Sequence, residues 1–192
     1  MPYDTAAITI VSGLPRSGTS LMMQMLEAGG IPPLTDHIRA HDDDNPRGYY
    51  ELEAVKRTKR DQSWLDEAPG HAVKVIHALL YDLPGDRAYR IIFMQRNLAE
   101  VVRSQAVMLE RRGTTGANLT TEQLVRAYQQ QLDKVQGWMA QQPDIQVHMV
   151  DYNALVADPA PVVDVVIGFL GVSLDREAML AVVDPSLYRQ RK

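Results

Sequence analysis

The chain has 192 residues, enough for one domain that buries roughly 70% of the surface its unfolded form exposes. Its 20 basic and 24 acidic side chains give a net charge of −4, which argues against a broad nucleic-acid-binding face. Because the chain has no cysteine, disulfides, thiolate nucleophiles and cysteine-ligated metal clusters are excluded. We expect a single domain over residues 1–192.

No apolar run approaches the ~20 residues that a membrane-spanning helix requires. The first four residues, Met1 to Asp4, lack the basic start and apolar stretch of a signal peptide. We therefore expect a protein without a membrane span, located in the cytoplasm. The composition leaves the oligomeric state open.

Strands and helices alternate along the chain. Short runs of consecutive apolar residues predict buried strands at 7–12, 72–76, 89–94 and 145–150. Amphipathic spacing and end signals predict helices at 18–28, 97–111, 120–139 and 161–170. Two of these helices begin with the spacing of a capping box, Asn97 with Glu100 and Thr120 with Gln123. This alternation predicts an α/β fold with three layers and a central, mainly parallel sheet.

The segment 31–50 departs from this pattern because it is long, polar and rich in proline. A loop of that length in a compact domain is usually functional or disordered, so we interpret it as a lid over the first loop. It contains His37 and His41 beside several aspartates, which suggests a metal site. An acidic, solvated loop collects such residues readily, and we expect no bound metal.

The strongest motif lies between the first strand and the first helix. Gly13 and Gly18, followed by Thr19 and Ser20, have the spacing of a phosphate-binding loop. Glycines let backbone amides curl around an anion, and the helix N-terminus behind them adds partial positive charge. The alternative is a strand-to-helix turn capped by serine. Thr19 stands where ATP- and GTP-binding loops have a lysine, and a cation comes earlier, at Arg16.

The run Pro15-Arg16-Ser17-Gly18-Thr19-Ser20 resembles the 5′-phosphosulfate loop of the sulfotransferase superfamily. The resemblance implies a P-loop NTPase-like fold and the donor 3′-phosphoadenosine 5′-phosphosulfate (PAPS). It implies metal-independent, in-line transfer of the sulfuryl group to a hydroxyl or amine of a small-molecule or carrier-borne acceptor. It also implies that these six residues bind the donor and that Arg16 is catalytic.

Arg96 and Ser104 are similar to the superfamily's 3′-phosphate element, an arginine at a strand end and a serine 8 positions later. A guanidinium and a hydroxyl can select the 3′-phosphate through charge-assisted hydrogen bonds. The alternative interpretation is an ordinary helix start with an Arg-Asn pair and with Ser104 facing solvent.

The stretch from Tyr152 to Pro159, with Phe169-Leu170-Gly171 downstream, is similar to a third superfamily segment. It differs at Asn153, where an acidic residue is usual, and we expect a structural role for it. A rival interpretation makes Asp151 the magnesium-binding acid of an NTPase, but the missing P-loop lysine argues against it.

The general base has two candidates. Some family members have a histidine two residues after a lysine, whereas here His77 follows Lys74 by three. On a strand that offset turns His77 to the opposite face, unless the strand ends at Ile76. Glu51, just after the proposed lid, is the carboxylate alternative. A capping or surface histidine and a first-turn acid favoured by the helix dipole are the structural interpretations of these residues.

The sequence thus predicts a sulfotransferase with Arg16, Glu51, Lys74 and His77 as catalytic candidates. Two other functions fit the same motifs. One is an NTP-dependent kinase or hydrolase, which would require magnesium. The other is a non-catalytic nucleotide-binding protein, a role that the short chain makes credible.

Overall fold

The computed structural model describes residues 7–36, 38, 48–111, 113 and 119–184. Four strands form one sheet in the order β2-β1-β3-β4, and every neighbouring pair is parallel. The strands are β1 (Ile8–Gly13), β2 (Ala72–Lys74), β3 (Tyr89–Gln95) and β4 (Ile145–Asp151). The predicted central parallel sheet is therefore confirmed.

Helices and two 3₁₀ helices connect these strands. The seven helices found in the described residues are α1 (Thr19–Ala28), α2 (Trp64–Glu67), α3 (Leu98–Arg111), α4 (Thr121–Met139), α5 (Tyr152–Ala157), α6 (Pro159–Leu170) and α7 (Arg176–Val182). The 3₁₀ helices span Glu53–Arg57 and His77–Asp82.

Side chains alternate along each strand, so these apolar strands present apolar side chains on both faces of the sheet. Helices cover both faces and bury those side chains. On one face, Ile10 and Phe93 pack in a core with Leu132 of α4. On the other, Val11 and Ile92 pack in a second core with residues of α1, α6 and α7. The two cores confirm the predicted three-layer arrangement.

The topology brings the segments after β1 and β3 together. Gly13, the last residue of β1, lies beside Met94 near the end of β3. The chain leaves β1 toward β2 on one side, whereas it leaves β3 toward β4 on the other. Such a switch point, at the carboxyl edge of a parallel sheet, is where open α/β folds bind ligands.

Several predicted boundaries were wrong. β2 ends at Lys74 and not at Ile76, because the chain enters a 3₁₀ helix at His77. α6 begins at Pro159 and not at residue 161, since proline fits the first turn of a helix. The short helices α5 and α7 were missed. Aspartate side chains cap both: Asp151 accepts a hydrogen bond from Ala154 N at 2.9 Å, and Asp175 caps α7 in the same way.

One of the two predicted capping boxes forms in full. Thr120 and Gln123 bond each other reciprocally at the start of α4. At α3, Asn97 Oδ1 accepts from Glu100 N at 3.3 Å, but the Glu100 carboxylate accepts from Arg96 Nε at 3.0 Å. The reciprocal half of that box was therefore wrong, because the charged guanidinium is a stronger donor than a backbone amide.

Half of the proposed lid, residues 37 and 39–47, lies outside the described residues, as do the two histidines and the aspartates at 42–44 suggested as a metal site. The terminal residues 185–192 also lie outside them. The described ends of the segment are anchored: Leu34 N donates to Ala72 O at 2.9 Å, and Glu53 N donates to the Asp36 carboxylate at 2.6 Å. Across the described part of the chain, no helix combines the length and apolarity needed to cross a bilayer.

Candidate anion-binding site

The loop between β1 and α1 requires glycine at both ends. Gly13 and Gly18 have φ angles of 148° and 99°, which side-chain-bearing residues rarely adopt. A Cβ at Gly13 would lie 2.5 Å from Ser17 Oγ and 2.6 Å from Met94 O. A Cβ at Gly18 would lie 2.3 Å from Cδ2 of Tyr152. The curled backbone is thus fixed by close packing as well as by conformation.

The polar groups of this loop suit an anion. Ser17 is 1% exposed, and among the described residues its Oγ has no hydrogen-bond partner. Leaving such a buried hydroxyl unsatisfied costs about 1–3 kcal/mol. The first amides of a helix also lack intrahelical partners, and the first turn of α1 contains no acidic residue to occupy them. A bound phosphate or sulfate would satisfy these helix amides.

Arg16 has the left-handed φ of 70°, which costs a residue other than glycine about 1–2 kcal/mol. Its Nε donates to Ser104 Oγ at 2.9 Å. The structure therefore joins two predicted site residues that are 88 positions apart in the sequence.

Arg96 supports this loop from the end of β3. Its Nη1 donates to the backbone oxygen of Arg16 at 3.1 Å, and its Nε donates to Glu100 Oε2 at 3.0 Å. Its Cζ lies 4.6 Å from the centre of the Tyr152 ring, and its side chain is only 8% exposed. Arg96 is thus packed among neighbours, and sequence reasoning missed Glu100 as its ion-pair partner.

Lys74 brings a further cation from the end of β2. Its Nζ donates to Ser20 Oγ at 3.1 Å and to the backbone oxygen of Tyr49 at 2.7 Å. It therefore ties the returning end of the segment 31–50 to the first turn of α1.

The remaining predicted loop residues differ in exposure: Pro15 is exposed, whereas Thr19 is buried.

The two candidate bases have different surroundings. Glu51 follows Tyr49 by two residues; its side chain is 27% exposed and its Oε2 lies 3.9 Å from Lys56 Nζ. His77 is 6% exposed, and its Nε2 lies 3.0 Å from Gln131 Oε1 on α4. His77 thus contacts the helix layer on the face of the sheet opposite α1, whereas the chain just before Glu51 is held by Lys74.

The residues suggested for a metal have other contacts where they are described. Asp151 accepts the Ala154 amide as the cap of α5. In the described ranges, no group of three or more histidine, aspartate or glutamate side chains is arranged to hold a metal ion.

Comparison with known proteins gives consistent matches. A family model described as a sulfotransferase domain matches residues 8–192. No curated protein sequence matches the chain. The sulfotransferase domain from the curacin biosynthetic pathway aligns with a TM-score of 0.57 and 14% identity, covering 93% of this chain and 78% of that one.

Two further solved structures resemble the chain. Mouse sulfotransferase SULT7A1 complexed with PAP has a TM-score of 0.54 and 16% identity, covering 94% of this chain and 63% of that one. Sulfotransferase STF1 from Mycobacterium tuberculosis H37Rv has a TM-score of 0.56 and 18% identity, covering 94% and 71%. At these identities the structures share the fold, and the chain spans between 63% and 78% of the three relatives' lengths.

Proposed function

Because the chain belongs to the sulfotransferase family, whose members transfer sulfuryl groups, we propose that it transfers the sulfuryl group of PAPS to a hydroxyl or amine. The observation that supports this most is the contact of Arg16 with Ser104. It puts a cation of the anion loop beside the hydroxyl proposed to bind the 3′-phosphate. The mouse relative's complex with PAP, the desulfated donor, supports the same nucleotide.

In this proposal the loop residues Pro15, Arg16, Ser17, Gly18, Thr19 and Ser20 bind the 5′-phosphosulfate, and Arg96 and Ser104 bind the 3′-phosphate. PAPS supplies the S–O bond that breaks. Arg16 stabilises the negative charge on the departing phosphate, since a preplaced cation favours the transition state over the ground state. Lys74, already bonded to Ser20, assists from the other side of the loop.

Glu51 is the base that we favour, because its carboxylate follows the backbone that Lys74 holds against the loop. It would accept the acceptor's hydroxyl proton while the oxygen is aligned with sulfur. His77 remains the second candidate, although its contact with Gln131 directs Nε2 toward α4.

The remaining features of the proposal concern the setting of the reaction. We propose one domain, a lid formed by segment 31–50, transfer without a metal, and a small-molecule or carrier-borne acceptor. The net charge of −4 supports an acceptor other than nucleic acid. The cytoplasm is the proposed compartment.

A thermal-shift panel tests the proposal with 3′,5′-ADP (which is PAP), ATP, and ATP with magnesium. A ligand at 100 times its Kd adds about 2.7 kcal/mol, which raises the Tm of a protein this size by roughly 5–10 °C. We expect 3′,5′-ADP to stabilise the protein without magnesium. Stabilisation only by ATP with magnesium would overturn the proposal in favour of a kinase or hydrolase. Binding of 3′,5′-ADP with no transfer from PAPS to any acceptor would leave a nucleotide-binding protein.

A further inference from the structure

We propose that Glu100 and Asn153 are positioning residues that hold the guanidinium of Arg96, and through it the anion loop. The inference rests on the proposed function, because its consequence is read as nucleotide affinity. Glu100 accepts a hydrogen bond from Arg96, and Asn153 donates to Glu100. Their effect passes through the guanidinium of Arg96, which bonds the backbone oxygen of Arg16 at 3.1 Å.

The first step is the ion pair between Arg96, which follows β3, and Glu100 of α3. Arg96 Nε and Glu100 Oε2 are 3.0 Å apart, and the two side chains are 8% and 11% exposed. A pair this well buried keeps its geometry only when its remaining polar atoms are also bonded. Asn153 meets that need, because its Nδ2 donates to Glu100 Oε1 at 3.3 Å and Oε2 at 3.2 Å.

The second step is the orientation of the Asn153 amide. Its Oδ1 accepts the Asn97 amide at 3.3 Å, so one end of the side chain accepts while the other donates. This position is the one where the family resemblance predicts an acidic residue. Here Glu100 of α3 supplies the carboxylate, and the neutral side-chain amide of Asn153 donates hydrogen bonds to it. A second carboxylate there would lie within hydrogen-bonding distance of the first and repel it.

The third step links the pair to the loop. Arg96 lies over the ring of Tyr152, and that ring packs directly against the Cα of Gly18. Arg96 therefore reaches the loop twice, once through its bond to the Arg16 backbone and once through Tyr152. Because Arg16 has a left-handed φ of 70°, its backbone needs such support to keep the guanidinium beside Ser104.

The test is the affinity for 3′,5′-ADP of Asn153→Asp, measured by calorimetry at pH 6 and pH 8. The added carboxylate would repel that of Glu100, and at pH 8 we expect Kd to rise about tenfold over the wild type at that pH. Because a neighbouring like charge disfavours the ionised form of a carboxyl, we expect a smaller loss of affinity at pH 6. Asn153→Ala should lose less affinity and lose it equally at both pH values. The double variant Glu100→Gln/Asn153→Asp exchanges carboxylate and amide and should bind more tightly than Asn153→Asp.

Gln130→Glu, an exposed amide-to-carboxylate change on α4, is the matched control and should bind like the wild type at both pH values. Unfolding of each variant is followed at the same two pH values. If Asn153→Asp loses stability at pH 8 but keeps wild-type affinity, the pair only stabilises the fold and the positioning role is overturned. Failure of Glu100→Gln/Asn153→Asp to bind more tightly than Asn153→Asp would also overturn it. Failure of the wild type to bind 3′,5′-ADP would instead refute the proposed function, and only the unfolding data would then report on the pair.

Discussion

Replacing Gly18 by alanine tests whether the stability of the anion loop depends on both its backbone conformation and its packing against the Tyr152 ring. The φ of 99° alone costs an alanine about 1–2 kcal/mol. The new Cβ would also lie 2.3 Å from Cδ2 of Tyr152, and overpacking of this kind adds about 1–3 kcal/mol. We therefore expect Gly18→Ala to lower the free energy of unfolding by about 2–5 kcal/mol.

Gly30→Ala is the control that separates these two contributions. Gly30 has a similar φ of 108°, but a Cβ there meets no atom within 4 Å. It should lose only the backbone part, about 1–2 kcal/mol, and keep its affinity for 3′,5′-ADP. Urea unfolding followed by circular dichroism gives the stabilities, and calorimetry gives the affinities. Equal destabilisation by the two variants, with equal nucleotide binding, would refute the role of the Tyr152 contact.

Three further predictions concern catalysis and pH. Arg16→Ala should lower kcat by about 10²–10³, as removal of one oxyanion donor does. Steady-state assays with a working acceptor measure this, and a kcat near that of the wild type would refute the catalytic role of Arg16. Glu51→Gln should lower kcat by about 10²–10⁴ and His77→Asn by much less, and the reverse order would make His77 the base. Burial raises the pKa of Tyr89 to about 12, whereas an unfolded tyrosine titrates near 10, so the folded state resists the phenolate. The wild type should therefore lose on the order of 2–3 kcal/mol more stability than Tyr89→Phe as pH rises from about 10 to 12; parallel urea curves would contradict this.

The parts of the site that follow from short-range spacing were predictable. A strand, two glycines and a helix start define the anion loop within eight residues, and its backbone geometry follows from that order. The positions of Lys74 and His77 were not predictable in this way, because strand alternation applies only while the strand continues, and β2 ends at Lys74. His77 lies in the 3₁₀ helix that follows, and the two side chains contact Ser20 of α1 and Gln131 of α4.

The parts that depend on long-range contacts were not predictable from one sequence. Asn153 and Glu100 are 53 positions apart, and only the pairing of β3 with β4 brings them together. The spacing of Asn97 and Glu100 predicted a capping box. It did not show that the guanidinium of Arg96 would donate to the Glu100 carboxylate in place of the Asn97 backbone amide. The bond between Lys74 and the backbone of Tyr49 similarly depends on how segment 31–50 returns to the sheet.

A crystal structure of the protein with 3′,5′-ADP tests the central claim most directly. We predict the 5′-phosphate on the backbone amides of residues 16–20 within reach of the Arg16 guanidinium, and the 3′-phosphate beside Arg96 and Ser104. A nucleotide bound elsewhere on the protein, or one whose 3′-phosphate lies away from both residues, would contradict the account.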